Sequence, residues 1–193
     1  MILRHITALL LLIACPMAIA DSLDMSLNNN AIAFTLNTSA AAFASGNTDL
    51  YFGMLYNDSM NSLIDAGLVV KAEQGDTSDM TLAVGAKAVV GMIKNYLPGT
   101  AQNVDAIVIG GELNYIFPAV KQLSAAFYYF VGPRITTFGD ADRANQWGIH
   151  LDYEVTTGTK VYVEYRDTNF GITSTGQTAT LDSGSYFGVK ISY

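Results

Sequence analysis

Hydrophobic and polar residues alternate with a period of two along much of the chain, which is the pattern of β-strands that have one apolar and one polar face. Between residues 147 and 155, every odd position carries an aromatic or aliphatic side chain and every even position carries glycine or a polar side chain. The alternation predicts eight strands, near residues 49–57, 62–72, 79–91, 104–115, 122–134, 147–155, 160–166 and 186–193.

The connections between these strands also alternate. Those near 73–78, 116–121 and 156–158 are short, whereas those near 92–103, 135–145 and 171–184 are long, and only the connection at 57–62 breaks the rule. Short turns at one end and long loops at the other are typical of bacterial outer-membrane barrels. This arrangement predicts a C-terminus on the periplasmic side.

Period-two alternation also fits a soluble barrel, in which the apolar face points inward. The glycines favour the opposite orientation, because a narrow lumen needs small residues whereas glycine weakens a solvent-facing strand. Six glycines lie on the polar faces, namely Gly53, Gly67, Gly85, Gly110, Gly148 and Gly188. The expected fold is therefore a transmembrane, antiparallel, up-and-down β-barrel of about eight strands, with its polar face inward and its apolar face in outer-membrane lipid.

Aromatic residues on the apolar face fit the girdles that membrane barrels carry at both interfaces. Four lie near the loop ends of their strands (Tyr56, Trp147, Tyr165 and Phe187), and three lie near the turn ends (Tyr115, Tyr153 and Tyr193). An alternating strand that ends in an aromatic residue also resembles the C-terminal signal that the barrel-assembly machinery reads. We expect that machinery to be a partner.

The N-terminal segment 21–48 has a weaker pattern, with alternation over residues 31–37 and three asparagines at 28–30 that resemble a turn. It fits an additional strand, a hairpin that would bring the barrel to ten strands, or a partial plug. The barrel proper is expected over residues 49–193.

Composition narrows the class of protein. Only 14% of the 193 residues are charged, the formal net charge is −7, and the mean hydropathy is +0.27. Low charge with positive hydropathy argues against a disordered or nucleic-acid-binding chain. Helical membrane proteins need apolar runs of about 20 residues, and none occurs beyond the N-terminus.

Residues 1–20 have the features of a cleaved export signal, because Arg4 precedes an apolar core and small residues precede the expected cleavage site between Ala20 and Asp21. The alternative is a lipoprotein signal, in which Cys15 would be lipidated. Cleavage after Ala20 would remove the only cysteine and leave no disulfide framework.

Many charged side chains fall on the inward face. A tight turn at 156–158 predicts that Glu154 faces Lys160, Asp152 faces Tyr162 and His150 faces Glu164, so we expect a structural network of paired charges. The alternative is an acid–base site of His150, Asp152 and Glu164. No spacing in the sequence indicates a metal or a cofactor. The predicted lumen network comprises Asp65, Lys71, Lys87, Glu112, Arg134, His150, Asp152, Glu154, Lys160, Tyr162, Glu164, Arg166 and Lys190.

The strands at 84–88 and 110–113 and the closing segment 186–193 resemble the YfaZ family of small bacterial outer-membrane β-barrels. The resemblance implies a small outer-membrane barrel and supplies no catalytic residues. The favoured function is structural or surface-interacting, with a filled polar lumen. The alternatives are a narrow channel for small solutes and an enzyme that modifies envelope lipids. The sequence does not indicate an oligomeric state.

Overall fold

A computed structural model describes residues 21–40, 47–72, 79–97 and 100–193, with residues 95–97 described by their backbone alone. The predicted signal at 1–20, including Cys15 and the cleavage site at Ala20, lies outside the described residues. Within the described ranges, no helix has the length and apolar character required to cross a membrane.

Eleven strands follow one another along the chain, and a 3-10 turn at Arg134–Thr136 precedes β8. The strands are β1 (Ser22–Leu27), β2 (Ala31–Ser39), β3 (Thr48–Asn57), β4 (Ser62–Lys71), β5 (Met80–Leu97), β6 (Thr100–Ile116), β7 (Leu123–Gly132), β8 (Thr137–Gly139), β9 (Ala141–Thr156), β10 (Thr159–Ile172) and β11 (Thr178–Ser192).

Ten of these strands close into an antiparallel barrel, and the three-residue β8 pairs only with the outer part of β6. The barrel closes because β1 pairs with both β2 and β11. The predicted count of about eight strands is therefore two too low. The segment 21–48 supplies the missing hairpin, and a ten-strand barrel places both ends of the described chain, Asp21 and Tyr193, at one end, where the Tyr193 N–H donates to the Asp21 carbonyl at 3.1 Å.

We call the end of the barrel that carries Asp21 and Tyr193 the proximal end, and the opposite end the distal end. Three regions that the sequence analysis assigned to long distal loops are largely extended strand. Residues 92–103 belong mostly to the β5–β6 hairpin, residues 171–184 to β10 and β11, and residues 135–145 to β8 and the start of β9. The strands β5, β6 and β9–β11 therefore rise beyond the short β1–β4 at the distal end.

The interior of the barrel differs between its two ends. Near the proximal end, the inward residues of β9 are His150 and Asp152, and Leu151 between them points outward. Near the distal end, the inward residues form an apolar plug with almost no exposed surface, in which Val104, Val108, Phe170 and Ile172 are 0% exposed. The plug comprises Ala33, Leu55, Leu63, Val89, Ile93, Val104, Ala106, Val108, Phe130, Ala141, Ala144, Phe170, Ile172, Ala179 and Leu181. The expectation of a polar lumen therefore holds for the proximal part alone.

A β-bulge in β11 helps to build the plug. Thr168 pairs with Asp182 and Asn169 pairs with Thr180, so that Leu181 is the additional residue. Because of the bulge, both Leu181 and Asp182 are buried.

The Leu181 carbonyl accepts hydrogen bonds from the Asn57 and Asn61 side-chain amides at 2.8 and 2.9 Å. We call this arrangement the asparagine latch. It ties the connection between β3 and β4 to β11 across the distal end.

Candidate functional site

The proximal half of the lumen holds a polar cavity of about 670 Å³, which we call the cup. Its mouth lies at the proximal end, where Lys71 is 48% exposed and forms an ion pair of 2.5 Å with Asp49. Its deepest lining residues, Leu55, Leu63 and Phe130, belong to the plug. The cup is therefore blind at its distal side.

Most of the predicted lumen network lies where the sequence analysis placed it. Eleven of the thirteen residues line the cup, namely Asp65, Lys71, Lys87, Glu112, His150, Asp152, Lys160, Tyr162, Glu164, Arg166 and Lys190. Glu154 lies opposite Lys160 in the register of β9 and β10. Arg134 is the exception, because it is exposed in the 3-10 turn at the distal end and lies outside the lumen.

The predicted cross-strand register of β9 and β10 is confirmed. Glu154 faces Lys160, Asp152 faces Tyr162, and His150 faces Glu164. The side chains nevertheless form hydrogen bonds with residues other than those that face them in the register. The His150 Nδ1 atom lies 3.0 Å from both carboxylate oxygens of Asp152, whereas the Tyr162 hydroxyl donates to Asp24 on β1.

Arg166 is the centre of the best-connected group in the lumen. Its Nη2 atom lies 2.7 Å from Glu164 Oε2 and 2.5 Å from Ser26 Oγ, and its guanidinium stacks 4.0 Å from the Tyr186 ring centroid. The Tyr128 hydroxyl donates to the second Glu164 oxygen at 3.0 Å. Four strands therefore meet through one buried arginine–glutamate pair, which is a geometry suited to fixing strand positions.

A second buried pair lies on the opposite wall. The Lys87 Nζ atom lies 4.0 Å from Asp65 Oδ2, and both side chains are almost fully buried. The ammonium also lies 4.1 Å from the ring centroids of Tyr51 and Phe130, within the range of cation–π attraction. Buried charges need such compensation because desolvation alone would destabilise the barrel.

Several residues of the network were not predicted from the sequence, among them Asp24, Ser26, Tyr51, Tyr128 and Tyr186. The positions of the tyrosines could be predicted from the strand register, because two of them pair with inward-facing glycines. Tyr162 pairs with Gly188 and Tyr128 pairs with Gly148. A Cβ atom at Gly188 would lie 2.1 Å from Tyr162, and one at Gly148 would lie 2.6 Å from Tyr128. Glycines on the inward face therefore mark the places where a partner tyrosine lies flat across the neighbouring strand.

A family model described as YfaZ precursor matches residues 2–193. The chain belongs to the YfaZ precursor family, whose members are small outer-membrane β-barrel proteins. No curated protein matches the chain.

Solved porin structures resemble the fold at low identity. A KdgM porin has 9% identity and a TM-score of 0.46, over 89% of this chain and 98% of that chain. A NanC porin has 12% identity and a TM-score of 0.43 over the same shares. A further KdgM structure, described as a complex with disordered oligogalacturonate, has 10% identity and a TM-score of 0.45, again over 89% and 98%.

The outer surface of this YfaZ-family barrel suits an outer-membrane protein. Aliphatic side chains such as Ile109, Ile149 and Val163 are each more than half exposed there. The seven predicted girdle residues lie on this surface or at its margins (Tyr56, Tyr115, Trp147, Tyr153, Tyr165, Phe187 and Tyr193). The Trp147 and Tyr165 rings contact each other across β9 and β10, with centroids 5.5 Å apart.

The cup does not bring together a metal-ligand set. Across residues 21–40, 47–72, 79–97 and 100–193, no group of three His, Cys, Asp or Glu side chains has the geometry to hold a metal ion.

Proposed function

We propose that this protein is a non-conducting outer-membrane barrel whose distal half stands outside the lipid and acts as an interaction surface. The observation that carries the proposal is the apolar plug. Ion passage through a barrel requires a continuous polar path, and dry apolar segments oppose it. The cup supplies such a path only as far as Phe130, and beyond it Val108, Phe170 and Ile172 have no exposed surface.

We infer an orientation with the chain ends in the periplasm, which the polarity of the outer surface supports. On β10 the outward residues Val161, Val163 and Tyr165 give way to Asp167 and Asn169 towards the distal end. A polar exterior around an apolar interior is the arrangement of a water-soluble protein. The distal half is therefore suited to the extracellular side, and the strand that ends in Tyr193 is available to the assembly machinery on the periplasmic side.

The geometry favours a structural role for the His150–Asp152 pair over a catalytic one. An enzyme acting on envelope lipid needs its acid–base groups within reach of the lipid, whereas His150 faces the cup. The remaining polar contact of Asp152 is with Ser124, whose hydroxyl lies 3.5 Å from Asp152 Oδ2. That serine is held by the carboxylate and is not positioned as a nucleophile activated by the imidazole.

Conductance measurements on the purified full chain in planar lipid bilayers test the proposal. We expect no discrete current steps from the wild type. The variant carrying both Phe170→Ala and Leu181→Ala thins the plug and is expected to conduct, which shows that the assay detects an open lumen. Phe187→Ala, on the lipid-facing side, is the matched control and should remain silent. Reproducible current steps from the wild type, of the size seen for the double variant, would contradict the proposal and support a narrow channel.

A further inference from the structure

The strand β11 has a free edge in the distal half. Its partner β1 ends at Leu27, opposite Phe187, whereas β11 continues towards the distal end as far as Thr178. Over this distal part β11 pairs with β10 alone. The β1–β2 hairpin is too short to cover the other edge.

The main-chain groups that face this edge can be identified from the hydrogen bonds at the proximal end. The Tyr193 N–H donates to Asp21, at the start of β1, and the Ser192 N–H donates to Gly158, beside β10. Residues along an antiparallel strand alternate between their two neighbours, so that Ser185 and Ser183 face the β1 side. Within the described chain, their N–H and C=O groups have no main-chain partner.

The free edge lies at the distal margin of the outward apolar band, beyond Phe187. Ser183 and Ser185 point outward, and the neighbouring Tyr165 hydroxyl contacts Ser183 Oγ at 3.2 Å. Open strand edges do not occur in contact with hydrocarbon, because their polar groups would be unsatisfied. Water satisfies these groups in the free protein, and another extended chain could replace that water.

A groove of about 810 Å³ runs along this edge. One wall is β11 from Thr180 to Phe187, and the other is formed by the two distal connections at 28–30 and 58–61. The Asp58 N–H donates to the Asn30 carbonyl at 2.7 Å, which holds the two connections together. The groove is therefore a built feature of the fold, in the position that a longer β1 would occupy.

We propose that this groove binds an extended peptide segment of a partner protein, which pairs antiparallel with β11 and adds a strand to it. The spacing of the four free groups on Ser183 and Ser185 matches an extended backbone, and strand addition to an open edge is an established mode of peptide recognition. Asp58 is an exposed acidic residue of the groove, and the described lining residues include no lysine or arginine. The groove consequently favours a segment with basic side chains.

This inference deepens the proposed interaction role and rests on it, yet the two fail separately, because peptide binding and conductance are independent measurements. The probe is a synthetic peptide of seven residues that alternates lysine and threonine, with blocked ends and a fluorescent label. Its binding is measured by anisotropy to the full chain in phosphatidylcholine nanodiscs, whose zwitterionic lipid does not attract a basic peptide electrostatically.

Ser185→Pro is the decisive variant. Proline removes the N–H that faces the groove and leaves the β10–β11 ladder intact, since the Ser185 N–H takes no part in that ladder. We expect at least a tenfold loss of affinity for Ser185→Pro. The matched control Ser185→Ala keeps the backbone donor and should bind within twofold of the wild type. A peptide methylated on alternate backbone nitrogens should bind at least tenfold more weakly.

Amide hydrogen exchange supplies a readout that does not depend on any variant. In the free protein, the Ser183 and Ser185 amides should exchange rapidly while the Gly184 amide, which faces β10, is protected, and the peptide should slow the first two. Protection of Ser183 and Ser185 without peptide, equal binding by Ser185→Pro and the wild type, or a groove occupied by phospholipid that the peptide does not displace would each overturn the proposal.

Discussion

The two halves of the barrel place the same kinds of side chain on opposite faces. On β10 near the proximal end, Tyr162 and Glu164 face the lumen while Val161 and Val163 face lipid; near the distal end, Phe170 and Ile172 face inward while Asp167 and Asn169 face outward. The inward positions of β10 keep the same parity from residue 160 to residue 172, so that the chemistry of the two faces reverses while the same side of the strand faces inward.

The reversal fits the proposed function, in which the medium outside the wall decides which residues line its interior. Where lipid surrounds the strands, apolar side chains are stable outside, and the lumen is left with paired polar groups such as Arg166 and Glu164. Where water surrounds them, the hydrophobic effect drives apolar side chains inward, as in a soluble protein. In the proposed function, one continuous sheet combines a membrane anchor with a water-soluble cap.

The largest expected effect comes from truncating a side chain at the centre of the plug. Phe170→Ala should lower the free energy of unfolding by about 3–5 kcal/mol, because it leaves a cavity in a fully buried apolar cluster. Urea titration of the full chain in lipid vesicles, followed by tryptophan fluorescence, measures the change. Phe187→Ala is the matched control on the lipid-facing surface, where the side chain is 53% exposed. Equal losses for the two variants would contradict a packed distal core.

A charged substitution on the outer surface distinguishes positions that face lipid from positions that face water. On β6, Ile109 and Asn103 both point outward, Ile109 within the apolar band and Asn103 distal to it. Ile109→Arg should cost about 2–4 kcal/mol, the range for a basic side chain at the midplane of a membrane barrel. Asn103→Arg, at a water-exposed position, should change the free energy of unfolding by less than about 0.5 kcal/mol. The same urea titration measures both, and a large cost at Asn103 would extend the lipid contact into the distal half.

The polarity reversal also explains how far the strands could be predicted from the sequence. The alternation predicted strands over 147–155 and 160–166, whereas β9 and β10 span Ala141–Thr156 and Thr159–Ile172. The predicted segments stop where the outer face changes from apolar to polar, at Trp147 and just beyond Tyr165. An alternation with apolar residues on the outer face does not continue across that boundary, so the sequence pattern predicts loops where the strands extend distally.

Within the predicted strands, the facing of His150 and Glu164 agrees with a count back from a turn at 156–158. The turn itself pairs Thr156 with Thr159, and a register shift before Lys160 restores the predicted facing. The actual hydrogen-bond partners could not be derived in this way. Tyr162 reaches Asp24 on β1, and Arg166 reaches Ser26 on the same strand. These contacts depend on barrel closure through β1, a strand of six residues whose pattern is too short to show whether the segment joins the barrel wall or folds inside the lumen.

The smallest expected effect concerns how the distal half is closed. Asn61 is buried, donates to the Leu181 carbonyl at 2.9 Å and accepts the Lys94 N–H at 2.9 Å. Asn61→Ala should cost about 1 kcal/mol, near the lower limit for an unsatisfied buried group, because Asn57 still donates to the same carbonyl. The control Asn29→Ala, on an exposed neighbouring connection, should leave the urea midpoint unchanged. A neutral Asn61→Ala would mean that the plug alone closes the distal half, and that the asparagine latch positions the connection between β3 and β4 without stabilising the barrel.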